Sequence, residues 1–232
     1  MSRMKLNIGR YLYICPLLSA ILLVHMSHAA DNQSEATQPI ADSAKVLNEV
    51  MSSPDKAIPT GVIQHATCVA VFPSTIQVAV LVGGKHGKGV ATCRTGNGWS
   101  APAPLDISGG SWGAQVGGEA IDLILIITDE KGRQQLESGK FRMGVETSVT
   151  AGPIGGHNMT LNADVVSYSR SRGVFAGTNI TGSSITEDQD GARALYGSPM
   201  SLSDILNGKV QPPAGSAPFL STVQKYAGET KP

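Results

Sequence analysis

The sequence contains few of the residues that mark specialised classes of protein. Only three of its 232 residues are cysteine and no C-x-x-C pair occurs, so neither a disulfide-rich scaffold nor a cysteine-based zinc site is indicated. Charged residues make up 16% of the chain, with 18 Lys and Arg balancing 18 Asp and Glu. This balance excludes the strongly basic composition of many nucleic-acid-binding proteins.

Long apolar runs are also scarce, and the one at the N-terminus has the features of a secretory signal. Arg3, Lys5 and Arg10 form a basic start, Tyr11–Met26 is an apolar run, and Ser27–Ala29 has the small-x-small spacing that a signal peptidase reads. The run is shorter than the ~20 residues that a membrane-spanning helix needs. Residues 1–29 are therefore predicted to be a signal peptide.

The predicted mature chain has one domain and an acidic balance. Removing residues 1–29 leaves 15 Lys and Arg against 18 Asp and Glu, a formal charge of −3. We expect a flexible segment at 30–39, a single domain at 40–208, and a C-terminal tail at 209–232 that can hold a short helix. The expected location is the bacterial periplasm or the periphery of the cell envelope.

Two cysteines, Cys68 and Cys93, remain after export. An oxidising compartment favours their pairing. By the chain-entropy argument, such a disulfide stabilises the folded protein by ~3 kcal/mol. Two buried thiols or a metal site are the alternatives. Because His65, His86 and His157 are scattered singly, we predict no metal and no cofactor.

The hydrophobic pattern predicts helices at the two ends and strands between them. Ile40, Ala44, Leu47 and Met51 recur at helical spacing, which predicts an amphipathic helix packed on the core. Further helices are predicted at Asp129–Ser138, with Asp129 as its cap and Gly139 as its stop, and as a turn from Thr60, at Asp190–Leu195, Ser201–Leu206 and Ala217–Tyr226. Predicted strands are Cys68–Phe72, Ile76–Val82, Val90–Arg94, Leu105–Ser108, Ala120–Thr128, Phe141–Thr150, Asp164–Ser169 and Gly173–Ile180. This segregation predicts an α+β fold with a mostly antiparallel sheet or sandwich.

The pentapeptide Gly109–Gly113, "GGSWG", matches the G-x-S-x-G pattern of a nucleophile elbow. Such an elbow needs a helix after the serine and a parallel α/β sheet around it. Three glycines in the nine residues after Ser111 are a poor helix start, and strands do not alternate with helices. A serine hydrolase that uses Ser111 is therefore the less favoured reading, and we predict no catalytic residue.

Two further segments carry basic residues. The segment "GGKHGKG", Gly83–Gly89, fails the P-loop and dinucleotide patterns. Its glycines are typical of a hairpin turn, although Lys85, Lys88 and Arg94 could also meet anionic headgroups. In "SYSRSRG" a two-residue spacing places Arg170 and Arg172 on one face of a strand.

Several long motifs, taken in order, resemble the SYLF domain, which occurs in signal-bearing bacterial proteins and in eukaryotic adaptors. The resemblance covers roughly Ile40–Tyr196. Its motifs are "CVAVFPSTIQVAVLVGGKHGKGVATCRTGNGWSAPAPLDISGGSWGAQVGGEAIDLILIITDEKG" (Cys68–Gly132), "VETSVTAGPIG" (Val145–Gly155), "SYSRSRGVFAG" (Ser167–Gly177) and "ALYG" (Ala194–Gly197).

The resemblance implies a non-enzymatic lipid-binding module, with phosphoinositides and, in some members, actin as partners. Within it, Gly109, Gly110, Ser111, Trp112 and Gly113 form a structural motif, expected as a turn between strands with Trp112 on the core. The headgroup candidates are Lys85, Lys88, Arg94, Arg170 and Arg172.

This chain departs from the family in three ways. His86 stands where the motif usually has tyrosine, and the front helix is not basic. An exported protein would also not meet actin, so actin binding is not expected. The sequence therefore predicts a protein of the cell envelope that recognises anionic lipid headgroups through its basic glycine-rich loop, Gly83–Gly89. A structural or partner-binding periplasmic protein is the alternative.

Overall fold

The helices lie mainly at the two ends of the chain, as expected. The computed structural model describes residues 37–53, 57–144, 148–151, 163–173 and 182–228. In the strands it gives the backbone alone at 77, 79–82, 111–117, 119, 149–151 and 171–173. The predicted signal peptide, His157 and all but the first residue of the predicted strand Gly173–Ile180 lie outside the described residues.

All the predicted helices are confirmed to within a few residues at their ends. They are α1 (37–51), α2 (Thr60–Gln64), α3 (Glu130–Glu137), α4 (Gln189–Tyr196), α5 (Leu202–Leu206) and α6 (Ala217–Ala227). The carboxylate of Asp129 accepts a hydrogen bond from the amide of Gly132 and so caps α3. Gly139 has a φ of +66°, the left-handed conformation predicted for it after the helix.

The strands form one mostly antiparallel sheet. They are β1 (Cys68–Thr95), β2 (Gly98–Trp99), β3 (Ala103–Ile127), β4 (Lys140–Arg142), β5 (Val149–Ala151), β6 (Val165–Gly173) and β7 (Ser184–Glu187). The sheet runs β2-β1-β3-β6-β5, and β7 joins β3 to β4. Only β5 and β6 pair in parallel among the described strands. The predicted α+β class is confirmed.

The long antiparallel ribbon of β1 and β3 corrects two predictions. Three predicted strands are a single strand, β1, and the segment Gly83–Gly89 runs through it rather than forming a hairpin turn. The pentapeptide Gly109–Gly113 likewise lies inside β3 and is not a turn between strands. Backbone pairing of β1 with β3 continues from Cys68↔Ile127 to Ala91↔Ala103, with irregularities after Phe72 and Val80.

The two ends of β1 come together because the ribbon bends back on itself. The amide of Arg94 donates to the carbonyl of Thr67 over 2.8 Å, and Cys68 and Cys93 form the predicted disulfide. Gly89 faces the same crossing, where a Cβ atom would overlap the Val71 carbonyl oxygen. This glycine is needed for close approach of the backbone rather than for a turn.

The sheet separates two apolar clusters. On one side, Phe72, Leu105, Leu125 and Phe141 pack with the disulfide and with α3 and α5. On the other side, α1, α2 and α6 cover a second set of strand residues that includes Val71, Val90 and Ile126.

The front helix packs on this second cluster, as predicted. Ile40, Ala44 and Leu47 are buried there. The short helix expected near the C-terminus is present as α6, and it buries Phe219 and Val223 beside α1.

Candidate functional site: an outer polar face of the sheet

Arg94, one of the five headgroup candidates, lies in the interior. Its guanidinium uses four of the five N–H groups of an arginine and rests 4.5 Å from the centroid of the Trp99 ring. The acceptors are the backbone carbonyls of Ala66 (2.7 Å), Gln64 (3.0 Å), Ala227 (2.6 Å) and Gly228 (3.1 Å). Since two of these carbonyls end α6, Arg94 holds the last helix against the bend of β1.

Arg170 is partly exposed and is held by two carboxylates of the same chain. It donates to the buried carboxylate of Asp122 over 2.6 Å and to Glu49 of α1 over 2.8 Å. Burial alone would lower its pKa, but the bonds to these two carboxylates raise it. Arg172 pairs through its backbone with Ala120, and its side chain is outside the described set.

Lys85 points inward beside Ser183. Its Nζ lies 3.5 Å from the Ser183 Oγ, and burial lowers the pKa of the amine to about 8. Gly109 gives this pair room, because a Cβ atom there would lie 3.0 Å from the same hydroxyl. Within the "GGSWG" motif, Gly109 therefore has a packing role. The predicted role of Trp112 stays a prediction, since only its backbone is described.

Lys88 is half exposed and points outward. Its Nζ binds the Asp188 carboxylate and lies 3.7 Å from Asp106. Burial alone would lower the pKa of Lys88, but the hydrogen bond to Asp188 and the two negative charges raise it. For Asp106, burial and then the charge of Asp188 raise the pKa. Among the candidates whose side chains are described, Lys88 is the most exposed, with 51% of its side chain accessible against 31% for Arg170.

Strand pairing brings Lys88 together with residues that lie far away in the sequence. Lys88 pairs with Asp106, Asp106 with Thr186, and Thr186 with Lys140. This row therefore crosses β1, β3, β7 and β4 in order.

The next row along these four strands begins at His86. His86 pairs with Ser108, Ser108 with Ser184, and Ser184 with Arg142. All eight side chains are on one side of the sheet, since residues between them such as Ile107, Phe141 and Ile185 are buried on the other. We call this surface the outer polar face; its residues are His86, Lys88, Ser108, Asp106, Thr186, Ser184, Lys140 and Arg142.

Positive charge on the outer polar face is concentrated on β4. Lys140 and Arg142 are exposed on either side of buried Phe141, and within the described ranges neither forms an ion pair. The hydroxyls of Ser108, Ser184 and Thr186 lie between β4 and β1. An arginine fork, an ammonium group and hydroxyl donors are the groups that bind phosphate oxygens.

Sequence reasoning missed the β4 residues because nothing local distinguishes them. The one local signal is the alternation of charged, apolar and charged residues in "KFR". It predicts only that Lys140 and Arg142 share a strand face. Their meeting with Lys88 depends on β7, a strand that the sequence pattern did not predict.

Other kinds of site find no support in the described part of the chain. No group of three or more His, Cys, Asp or Glu side chains is placed there to hold a metal ion. None of the described helices is both long enough and apolar enough to span a membrane.

Comparison with known proteins shows relatives for most of the chain. Residues 108–226 match a family called Ysc84, described as "Las17-binding protein actin regulator". LAS seventeen-binding protein 3 of Saccharomyces cerevisiae is 31% identical over 82% of this chain and 44% of its own length. SH3 domain-containing YSC84-like protein 1 of Mus musculus is 34% identical over 74% of this chain and 54% of its own length. No solved structure matches.

These findings and the fold agree. The molecule is an α+β domain whose candidate site is an exposed face of a bent antiparallel sheet. The chain belongs to the Ysc84 family, the family of the SYLF domain, and it spans about half the length of the curated relatives it matches.

Proposed function

We propose that this chain is a non-catalytic binding module that docks on anionic phospholipid surfaces through the outer polar face. The single observation that carries this proposal is the pairing of β4, β7, β3 and β1, which puts Lys140 and Arg142 on one exposed face with three hydroxyls and Lys88.

The charge on this face limits the strength of binding. Lys88 is largely neutralised by Asp106 and Asp188, so Lys140 and Arg142 supply most of the attraction. A basic residue near an anionic surface contributes ~1 kcal/mol, so removing both should weaken binding about 30-fold. Since the attraction is screened over a Debye length of ~8–10 Å, binding should also fall as salt is added.

Flotation with vesicles of phosphatidylcholine, with or without phosphatidylserine, tests the proposal. The protein should float with the anionic vesicles at low salt, whereas Lys140→Ala/Arg142→Ala should stay at the bottom. A matched control, Lys45→Ala/Lys209→Ala, removes two exposed positive charges elsewhere and should float like the wild type. Equal flotation of the two variants, or no preference for anionic vesicles, would refute the proposal.

A second candidate is docking to a protein partner. The family description names a Las17-binding actin regulator, and the same face could bind an acidic protein surface. Co-sedimentation with actin filaments, in which Lys140→Ala/Arg142→Ala remains in the supernatant, would support this alternative. Binding to vesicles without co-sedimentation would favour the lipid.

We also propose that the chain is exported, because its first 29 residues have the order of a signal peptide. Expression of the full chain in a bacterial host, followed by mass measurement, tests this proposal. A product that begins near Ala30 in the periplasmic fraction supports export, and an uncleaved product in the cytoplasm contradicts it.

A further inference from the structure

Two carboxylates meet one amine where β1 borders the outer polar face. Lys88 binds one oxygen of Asp188, the residue before α4, and its Nζ lies 3.7 Å from Asp106 of β3. The other oxygen of Asp188 accepts a hydrogen bond of 2.9 Å from the amide of Gly191 and so caps α4. Both oxygens of Asp188 therefore have donors, and Lys88 is hydrogen-bonded to this carboxylate rather than to Asp106.

Asp106 lacks comparable donors. Its Oδ1 is shielded from solvent and accepts no hydrogen bond from the described residues, since 3.7 Å from Lys88 is too far for one. A carboxylate that loses its hydration without gaining a donor favours the protonated form. Burial and then the charge of Asp188 raise the pKa of Asp106, whereas the charges of Lys88 and His86 oppose this rise.

The elements around Asp106 carry few other groups that change their charge under mild acidity. Those elements carry Lys88 and His86 on β1, Asp188, Asp190 and Arg193 at the start of α4, and Lys140 and Arg142 on β4. The partner of Asp106 on β7 is Thr186, which does not titrate. Histidine is the side chain that ordinarily changes its charge in this range, so a test of Asp106 has to control for His86.

We infer that Asp106 limits the affinity of the outer polar face for an anionic surface, and that a proton taken up by Asp106 removes this limit. The inference rests on the proposed function and adds regulation to it. Three cations, Lys88, Lys140 and Arg142, stand against the carboxylates of Asp106 and Asp188. With the histidine neutral, the net charge of this group is +1 while Asp106 is ionised and +2 once it is protonated.

The added charge sets the size of the effect. One elementary charge near an anionic surface corresponds to about a fivefold change in affinity. Because the anionic surface favours the protonated form of Asp106, the chain should also take up protons as it binds. Binding should therefore strengthen as the pH falls.

Titration with phosphatidylglycerol vesicles tests the inference by comparing the wild type with Asp106→Asn. The asparagine keeps the shape of the aspartate without its charge, and the phosphate diester of this lipid stays ionised throughout. At about pH 7.5 the variant should bind about fivefold more tightly than the wild type. At about pH 5 the two affinities should agree to about twofold or better, because Asp106 of the wild type is then protonated as well. Asp42→Asn, which removes one negative charge from α1, is the matched control and should bind like the wild type at both pH values.

The same comparison in a His86→Gln background excludes the histidine as the source of the change. The affinities should converge there too, and a loss of this convergence would overturn the inference in favour of His86. A fivefold difference that is the same at both pH values would also overturn it. Equal binding of the wild type and Asp106→Asn at about pH 7.5, while Lys140→Ala/Arg142→Ala fails to bind, would overturn the inference but leave the proposed function intact. No binding by any of these proteins at either pH would overturn both.

Proton uptake tests the inference without a substitution. Calorimetry of the wild type with the same vesicles, in two buffers that differ in ionisation enthalpy, should show protons taken up on binding at about pH 5. No uptake by wild-type protein that binds the vesicles would overturn the inference. Thermal midpoints at both pH values check that the variants fold.

Discussion

Replacement of Arg94 by alanine separates a structural role from a headgroup role. The substitution removes four hydrogen bonds to backbone carbonyls at 2.6–3.1 Å and the stacking on Trp99. Hydrogen bonds from a charged group contribute ~1.5–3 kcal/mol each. The carbonyls at the end of α6 can regain water once that helix loosens, which offsets part of this cost. We therefore expect the free energy of unfolding to fall by about 3–5 kcal/mol.

Denaturant unfolding measures this loss, with hydrogen exchange of α6 as a local readout. Arg94→Ala should lower the midpoint, and the amides of residues 217–227 should exchange faster than those of β3. Arg94→Lys keeps the charge but cannot reach four carbonyls, so it should recover only a small part of the stability. If Arg94→Ala instead unfolded like the wild type but lost vesicle binding, the assignment of Arg94 to the interior would be refuted.

Three further predictions follow from buried groups. Gly89→Ala should destabilise the fold by ~2 kcal/mol or more in denaturant unfolding, because the new methyl group overlaps the Val71 carbonyl oxygen; a change below 0.5 kcal/mol would contradict the close approach. Since the pKa of Lys85 is lowered to about 8 in the fold, the unfolded state binds more protons between pH 8 and its ordinary pKa near 10.5. As the pH rises through that range, the wild type should therefore gain stability relative to Lys85→Met. A stability difference that does not change with pH would exclude a buried amine with a lowered pKa. The hydroxyl of Tyr168 is buried with no hydrogen-bond partner among the described residues, so Tyr168→Phe should leave the thermal midpoint unchanged or slightly raised; a fall of several degrees would show a partner.

Local signals were enough to predict the helices, whereas the disulfide was only the favoured one of three alternatives. Asp129 and Gly139 bound α3 as their side-chain chemistry predicts. The oxidising compartment expected for an exported protein favours the pairing of Cys68 with Cys93. The bend of β1 explains how the two ends of one strand meet to form this bridge.

The glycines were the main source of error. A glycine serves equally well at positive φ in a turn and at a point where backbones touch, and the sequence does not distinguish these uses. At Gly87 and Gly89 the second use applies, because the strand folds against itself. The same ambiguity made Gly109–Gly113 look like a turn, although Gly109 makes room for Ser183.

The candidate site depends on strand register, which no local pattern supplies. Arg94 and Arg170 have the charge that an anion site needs, but the fold gives them internal partners. Lys140 and Arg142 have no motif, and the pairing of β4 with β7 places them on the exposed face.

A fluorescent label on Thr186 tests the central claim most directly. This residue is exposed and uncharged in the middle of the outer polar face, so Thr186→Cys carries an environment-sensitive probe without removing a positive charge. Ser221→Cys, on α6, is the matched control. The account predicts a blue shift at position 186, and none at 221, when anionic vesicles are added at low salt. A shift at 221 with none at 186 would contradict it.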